Sequence, residues 1–173
     1  MEEDKQTATE ETESSEETTD KEEANADEAV AEADSDEEEA AEAEEELEAA
    51  IEVENDLRSE IVTYALQFVG IRYKYGGTNP NTGVDCSGFT SYVMPHAAEV
   101  VLPHSSGGQS RMGRQVSSSE MRPGDIICYG SGKRINHVAL YIGNGQIVHA
   151  STERTGIKVS RWNYRTPVRI VNV

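Results

Sequence analysis

The chain has 173 residues, with 33 acidic and 15 basic side chains and a formal net charge of −18, a length that allows one domain plus an appendage. Two cysteines permit one bridge at most, which excludes a disulfide-stapled scaffold, and no run approaches the roughly 18 apolar residues of a membrane span. No cleavable leader pattern opens the chain, so if the protein is secreted, its signal has been removed or the sequence is a piece excised from a longer protein.

The charge is unevenly placed. Residues 1–60 hold 28 acids against three bases, Lys5, Lys21 and Arg58, a balance of −25, whereas residues 61–173 hold 12 bases and five acids, a balance of +7. Residues 1–56 carry too little apolar surface to offset the entropy of ordering and are expected to form a disordered acidic arm, a solvating spacer that shields the basic part. Within it, "EEEAAEAEEELEAAIE" has high helix propensity, opposed by like charges at i,i+4 spacing. Residues 57–173 are expected to fold as one domain.

The domain opens on "DLRSEIVTYALQFVG", where Leu57, Ile61, Val62, Ala65, Leu66 and Val69 recur at helical spacing and Gly70 is a stop; an amphipathic helix of about three turns is expected. "IRYKYGGTNPNTG" is rich in Gly, Asn and Pro and reads as a loop. "CSGFTSYV" reads as a short helix with Asp85 as N-cap and Pro95 closing it. Residues 96–123 are Ser/Gly-rich and irregular apart from "AAEVVL". Five short β-branched runs follow, "DIICYG", "HVALYIG", "QIVHAS", "GIKVSRW" and "VRIVNV", parted by Gly-containing turns in the pattern of an antiparallel meander. Helices first and strands afterwards predict an α+β fold, with helices packed on one face of an antiparallel sheet.

Cys86 sits between Asp85 and Ser87 and offers four readings: nucleophile, metal ligand, half of a disulfide, or core filler. A catalytic thiol needs something that lowers its pKa and a base in reach. The first helical turn supplies unpaired N–H groups and the positive end of a dipole, and the small Ser87 and Gly88 leave the sulfur approachable. Asp85 opposes a thiolate unless its carboxylate turns away to cap amides. The base is one of His96, His104, His137 and His149, and the residues alone do not choose among them. His137 and His149 share a face of the "HVALYIGNGQIVHA" hairpin only if a three-residue loop, Gly143–Gly145, pairs Ile142 with Gln146 and sets His149 opposite Ala139. That register is predicted, because the chemistry requires it. Zinc held by Cys86, Cys128, His137 and His149 is the competing chemistry, weakened by the absence of a close ligand pair such as CxxC or HxxxH. Cys128 reads as a small core residue, His96 and His104 as surface or cleft-rim residues, and Trp162 and Tyr164 as packing on a sheet edge.

"YKYGG", "DCSGF", "LPHSSGGQ", "RPGDIICY", "HVALYIGNG" and "IVHAS", in this order and spacing, resemble the NlpC-type cell-wall cysteine peptidases from about residue 57 to the C-terminus. The resemblance implies a pared-down papain-like fold and a hydrolase of peptidoglycan stem peptides, most often at the bond between D-γ-glutamyl and a diamino acid. It implies Cys86 as nucleophile, His137 as base and His149 as the residue orienting it. Tyr73 and the Cys86 N–H would lie at the oxyanion site, and Asp85, Ser87, Ser105 and Ser106 at the substrate. No cofactor or metal is implied. The expected partners are stem peptides and anionic wall polymers rather than nucleic acid, since the bases are scattered with no RNP-like motif, and the expected state is a monomer, secreted or wall-associated. Two departures stand out: Pro95, where the family continues helical, and Cys128, where it has a bulky apolar residue. A catalytically silent wall-binding module, or an amidase or acyltransferase acting on another amide, are the alternatives.

Overall fold

A computed structural model describes residues 29–173, with side chains from residue 39 onward. The part of the expected disordered arm before residue 29 lies outside the described residues. Contacts divide the chain into Met1–Glu44 and Glu45–Val173; in the first unit the described residues are the opening turns of α1.

Helix α1 spans Ala29–Leu66, so the helix expected from Leu57 begins much earlier, and residues 29–56 are helical where a disordered arm was expected. Runs of Ala and Glu are strong helix formers, and here that propensity outweighs the repulsion between neighbouring carboxylates. Residues 39–53 are exposed throughout. The buried stripe is narrower than the apolar spacing suggested: Ile61 and Ala65 are buried, but Leu57, Leu66 and Val69 are 40%, 39% and 47% exposed. Arg58 takes the place of Leu57. Its guanidinium donates to the Pro123 carbonyl at 2.6 Å and to the buried Asp125 carboxylate at 3.2 Å, tying α1 to the "RPGD" turn.

Strands β1 (Thr78–Asn79) and β2 (Gly83–Val84) form a small hairpin inside the expected loop. Helix α2 spans Cys86–Ala98, capped by the Asp85 carboxylate, which accepts from the Gly88 N–H. Pro95 does not close it. A proline this close to the C-terminus removes only one helical hydrogen bond, and the last turn is held by buried Val93 and Met94 and by the Glu99 and Val100 N–H groups, both of which donate to the Met94 carbonyl. The helix ends instead at Glu99, in the left-handed region with φ 57°. Phe89, Val93 and Met94 form its buried face against the sheet, and a side chain of this size contributes about 1.5–3 kcal/mol when fully buried.

The short helix α3 (Ser106–Gln109) and strand β3 (Arg114–Gln115) lead into the main sheet. Its strands are β4 (Ile126–Ser131), β5 (Arg134–Gly143), β6 (Gln146–Thr152), β7 (Gly156–Arg161) and β8 (Pro167–Asn172), in the antiparallel order β3-β8-β4-β5-β6-β7. The meander holds for β4 to β7; β8 then crosses back to flank β4. The sheet is buried on both sides. One face carries Ile126, Cys128, Val138, Leu140 and Val148 against Ile61, Ala65 and α2, and the other gathers Ile127, Tyr129, Ala139, Ile147 and Ile170.

The β5–β6 hairpin corrects one expectation and keeps its consequence. The turn is the two-residue Asn144-Gly145, both at positive φ (52° and 72°), and Gly143 pairs with Gln146, so the three-residue loop does not form. A bulge between Tyr141 and Gly143 then shifts the register by one, giving Tyr141 opposite Ile147 and Leu140 opposite Val148. Continued along the strands, that register sets His149 across from Ala139. The bulge does what the longer loop was expected to do, because one extra residue reverses which face every later side chain takes.

Candidate active site

Cys86 stands at the first position of α2, half-buried, where the unpaired N–H groups of a helix start are concentrated. The first turn of α2 is seated on the "YKYGG" loop. A Cβ on Gly88 would lie 1.9 Å from the Gly77 carbonyl oxygen, so only glycine permits this approach. The Asp85 carboxylate fastens three segments together. Oδ1 accepts from the Gly88 N–H at 2.7 Å and bonds His104 Nε2 at 2.9 Å, and Oδ2 accepts from the Gly76 N–H at 2.9 Å. Buried Gln109 braces the same turn from α3. Its Oε1 accepts from the Thr90 hydroxyl at 2.6 Å, and its Nε2 donates to the carbonyls of Ser87 and Pro103 at 3.0 and 2.9 Å.

The sheet opens where the sulfur lies. The β5–β6 pairs run from Gly143 to Leu140, and the Val138 N–H just beyond them acts to lower the Cys86 thiol. The residue before it is His137, on the face it shares with His149. His137 Nε2 lies 2.7 Å from His149 Nδ1, and His149 Nε2 lies 3.0 Å from Ser160 Oγ on β7. Both rings are buried. Tyr164, in the loop after β7, packs on His149 with ring centroids 5.3 Å apart, and Tyr129 packs on His137 at 5.9 Å.

Electrostatics place this group in its neutral form. Burial holds His137 down to about 4, helped by the nearby Arg165 charge, and burial lowers His149 as well, followed by its repulsion from His137 and Lys158. Burial also raises the Cys86 thiol, and the Asp85 charge adds to it. The N–H groups of Val138, Ser87 and Cys86 pull the other way and do not prevail. The expectation that the helix N-terminus lowers this thiol is therefore corrected: desolvation outweighs the backbone donors. The Tyr73 phenol is raised by burial, and the Cys86 and Asp85 charges add to it.

The other candidates are used locally. The Ser87 hydroxyl is buried and donates to Asp85 at 3.3 Å; Ser105 caps α3, accepting from the Gly108 N–H; the half-buried Ser106 hydroxyl donates to the Ile135 carbonyl at 3.5 Å. Cys128 is fully buried and pushed up to about 12, and both thiols are free. The two imidazoles spend one nitrogen each on one another, and among the described residues no three His, Cys, Asp or Glu side chains gather as a metal site. A cavity of about 500 Å3 lies between α1 and the end of α2; His96 lines it, and Cys86, His137 and His149 do not.

Sequence reasoning placed His104 only at the surface or cleft rim, without its bond to Asp85, and missed Gln109, Ser160 and Arg165. His104 and Gln109 were inside a motif already singled out, "LPHSSGGQ", and alternation along "GIKVSRW" would have put Ser160 on the same face as Lys158, the residue paired with His149. Nothing in the sequence marked Arg165.

Comparison with known proteins bears on the whole assembly. The chain is 39% identical over 108 residues to the murein DD-endopeptidase MepS/murein LD-carboxypeptidase of Escherichia coli strain K12, an alignment covering 62% of this chain and 56% of that protein. It is 42% identical over 98 residues to the probable endopeptidase p60 of Listeria seeligeri, covering 57% of this chain and 18% of that one. It thus spans about half the length of the first relative and under a fifth of the second. In structure it is similar to the NlpC/p60 domain of the peptidoglycan hydrolase SagA, with a TM-score of 0.62, 32% identity, and coverage of 67% of this chain and 98% of that one. The peptidoglycan hydrolase RipB of Mycobacterium tuberculosis follows at a TM-score of 0.60 and 31% identity, with 68% and 65% covered. The model of the NlpC/P60 family matches residues 70–169, which include Cys86, both buried histidines and every segment that positions them, and the chain belongs to that family.

Proposed function

We propose that the chain is a cysteine endopeptidase of peptidoglycan stem peptides, acting outside the cell or at the wall, with Cys86 as nucleophile, His137 as base and His149 as its orienting residue. The observation that carries this reading is the hydrogen-bond chain His137–His149–Ser160, together with a half-buried thiol at a helix N-terminus. If His149 Nε2–H donates to Ser160, His149 Nδ1 must accept from His137 Nε2–H, and His137 Nδ1 keeps its lone pair. That tautomer pattern leaves one ring nitrogen of His137 free to act as a base, whereas a Ser160 hydroxyl donating to His149 would give the reverse pattern.

A raised thiol beside a lowered imidazole makes the resting pair neutral, so the Cys86 proton moves to His137 as the sulfur attacks rather than beforehand. The attack forms a tetrahedral centre whose oxygen takes up negative charge; the Cys86 N–H and the Tyr73 hydroxyl are the donors assigned to it. Imidazolium then gives its proton to the departing amine, leaving a thioester. Water, deprotonated by His137, hydrolyses the thioester and returns the thiol. His149 holds the tautomer and spreads the transient charge toward Ser160.

The bond assigned is the D-γ-glutamyl to diamino acid amide. The name of the Escherichia coli relative favours a second reading, cleavage of D,D cross-links or of an L,D-linked terminal residue. Mass spectrometry of stem peptides, muropeptides and cross-linked fragments incubated with the protein or with Cys86→Ala, under reducing and metal-free conditions, decides between them. Products ending in D-γ-glutamate, absent with the variant, support the first. Monomers released from cross-linked fragments support the second. A folded protein that cleaves none of these substrates would overturn both.

A further inference from the structure

Among the described residues, Arg165 is the one basic side chain whose charge acts on His137. It lies in the loop between β7 and β8, next to Tyr164, and is half-buried. Its Nη2 donates to Asn136 Oδ1 at 3.1 Å, the side chain immediately before His137. Its guanidinium carbon sits 5.8 Å from the centroid of Tyr129, the same ring that His137 approaches from 5.9 Å. Two contacts therefore hold the guanidinium in one place at the edge of the site. No carboxylate among the described residues lies within ion-pair distance of it, although Arg58, Arg114 and Arg122 all have such partners.

This arrangement is costly for a base that must become positive during the reaction. A fixed cation nearby disfavours imidazolium, and a protein serving only its own stability would neutralise or omit it. The cost disappears when an anion binds against the guanidinium. Arginine suits that task because its planar fork of N–H donors matches the two oxygens of a carboxylate. A γ-linked glutamyl residue offers such a group, since its α-carboxylate is not consumed by the peptide linkage.

We propose that Arg165 is a substrate-binding residue that receives a free carboxylate carried by the substrate next to the scissile amide, so that carboxylate-bearing stems are preferred to amidated ones. The identity of that carboxylate, the α-carboxylate of the γ-linked D-glutamyl residue, rests on the proposed function. The binding also reaches the chemistry. A carboxylate paired with Arg165 cancels the charge facing His137 just as the substrate arrives, so the base is strengthened only in the complex.

The test compares two stem peptides that differ only in a free or an amidated D-glutamyl α-carboxylate. Affinity is measured by calorimetry on the Cys86→Ala protein and on Cys86→Ala carrying Arg165→Gln or Arg165→Lys, with circular dichroism to confirm folding. The free-acid peptide is expected to bind roughly tenfold or more tightly than the amide, as for a charge-assisted bidentate contact. Arg165→Gln should remove that preference and leave the affinity for the amide little changed, and Arg165→Lys should keep part of it. Equal affinity for the two peptides, an unchanged preference in Arg165→Gln, or no binding of either would overturn the inference. Cleavage by the otherwise wild-type protein is read separately. Both peptides cleaved at equal rates would leave the proposed function standing without a role for Arg165. A carboxylate preference in binding that depends on Arg165, without cleavage of either peptide, would retain the anion site and remove the peptidase.

Discussion

The two cysteines share one domain and have opposite surroundings. Cys86 begins a helix at a point where the sheet parts, and the N–H groups of Val138 and Ser87 act to lower its thiol. Cys128 lies mid-strand in β4, between Val138 of β5 and Arg169 of β8, fully buried. Burial raises both thiols. Only at Cys86 do backbone donors oppose it, and only there does solvent reach the side chain. In the proposed mechanism, reactivity at this site follows from what surrounds the sulfur and from access to it, and a low resting pKa is not needed when a neutral base takes the proton.

The largest expected effect breaks that comparison outright. Cys86→Ala should lower the turnover of stem peptides by a thousandfold or more, roughly the loss seen when a nucleophile is removed from a catalytic unit, with an unchanged circular dichroism spectrum. Cys128→Ala should keep near wild-type turnover. Iodoacetamide sharpens the contrast: peptide mapping of the native protein should find the label on Cys86 alone, and on both cysteines only after denaturation.

Next in size is the seat of the helix. Gly88→Ala drives a methyl into the Gly77 carbonyl, and overpacking of this kind costs about 1–3 kcal/mol. Urea unfolding should show the loss. Activity should fall further than stability, because the first turn of α2 must move and Cys86 moves with it.

The contest between burial and partners also governs the histidines, and pH exposes it. His137 titrates near its ordinary value when unfolded but is held down to about 4 when folded. Between those two pH values the unfolded chain binds more protons than the native one, so stability should fall progressively as pH drops from about 6.5 toward 4. The urea midpoint measured across that window should decline more steeply for the wild type than for His137→Gln. A flat profile in the wild type would show that the ring is not held neutral by burial.

The smallest effect is expected at the end of the hydrogen-bond chain. Ser160→Ala leaves His149 Nε2 without its partner and should reduce kcat severalfold, in keeping with about 1 kcal/mol for one hydrogen bond, with KM little changed. A rise in KM at constant kcat would mean that Ser160 acts on binding instead of on His149.

Much of the site could be read from the residues because its parts are local. Asp85 as an N-cap, Cys86 in a first helical turn, and five strands all follow from patterns a few residues long, although the β5–β6 turn did not. The reading failed where long-range packing chose among local options. Leu57, Leu66 and Val69 had the spacing of a buried face, yet the sheet receives Ile61 and Ala65, and Arg58 takes the next place because Asp125 and the Pro123 carbonyl await its guanidinium. Pro95 looked like a stop, but burial of Val93 and Met94 carries the helix past it.

By itself the sequence determined which residues could do the chemistry, since a nucleophile, a base and a capping carboxylate are properties of residue types and short spacings. Tertiary structure alone decided that His137 and His149 meet, through a bulge at Ile142 whose effect on register no short window reveals. It also decided the protonation state of the site and the company of Arg165, Ser160 and Gln109. Those depend on burial and on partners brought from distant strands, and free energies of that kind belong to the assembled fold.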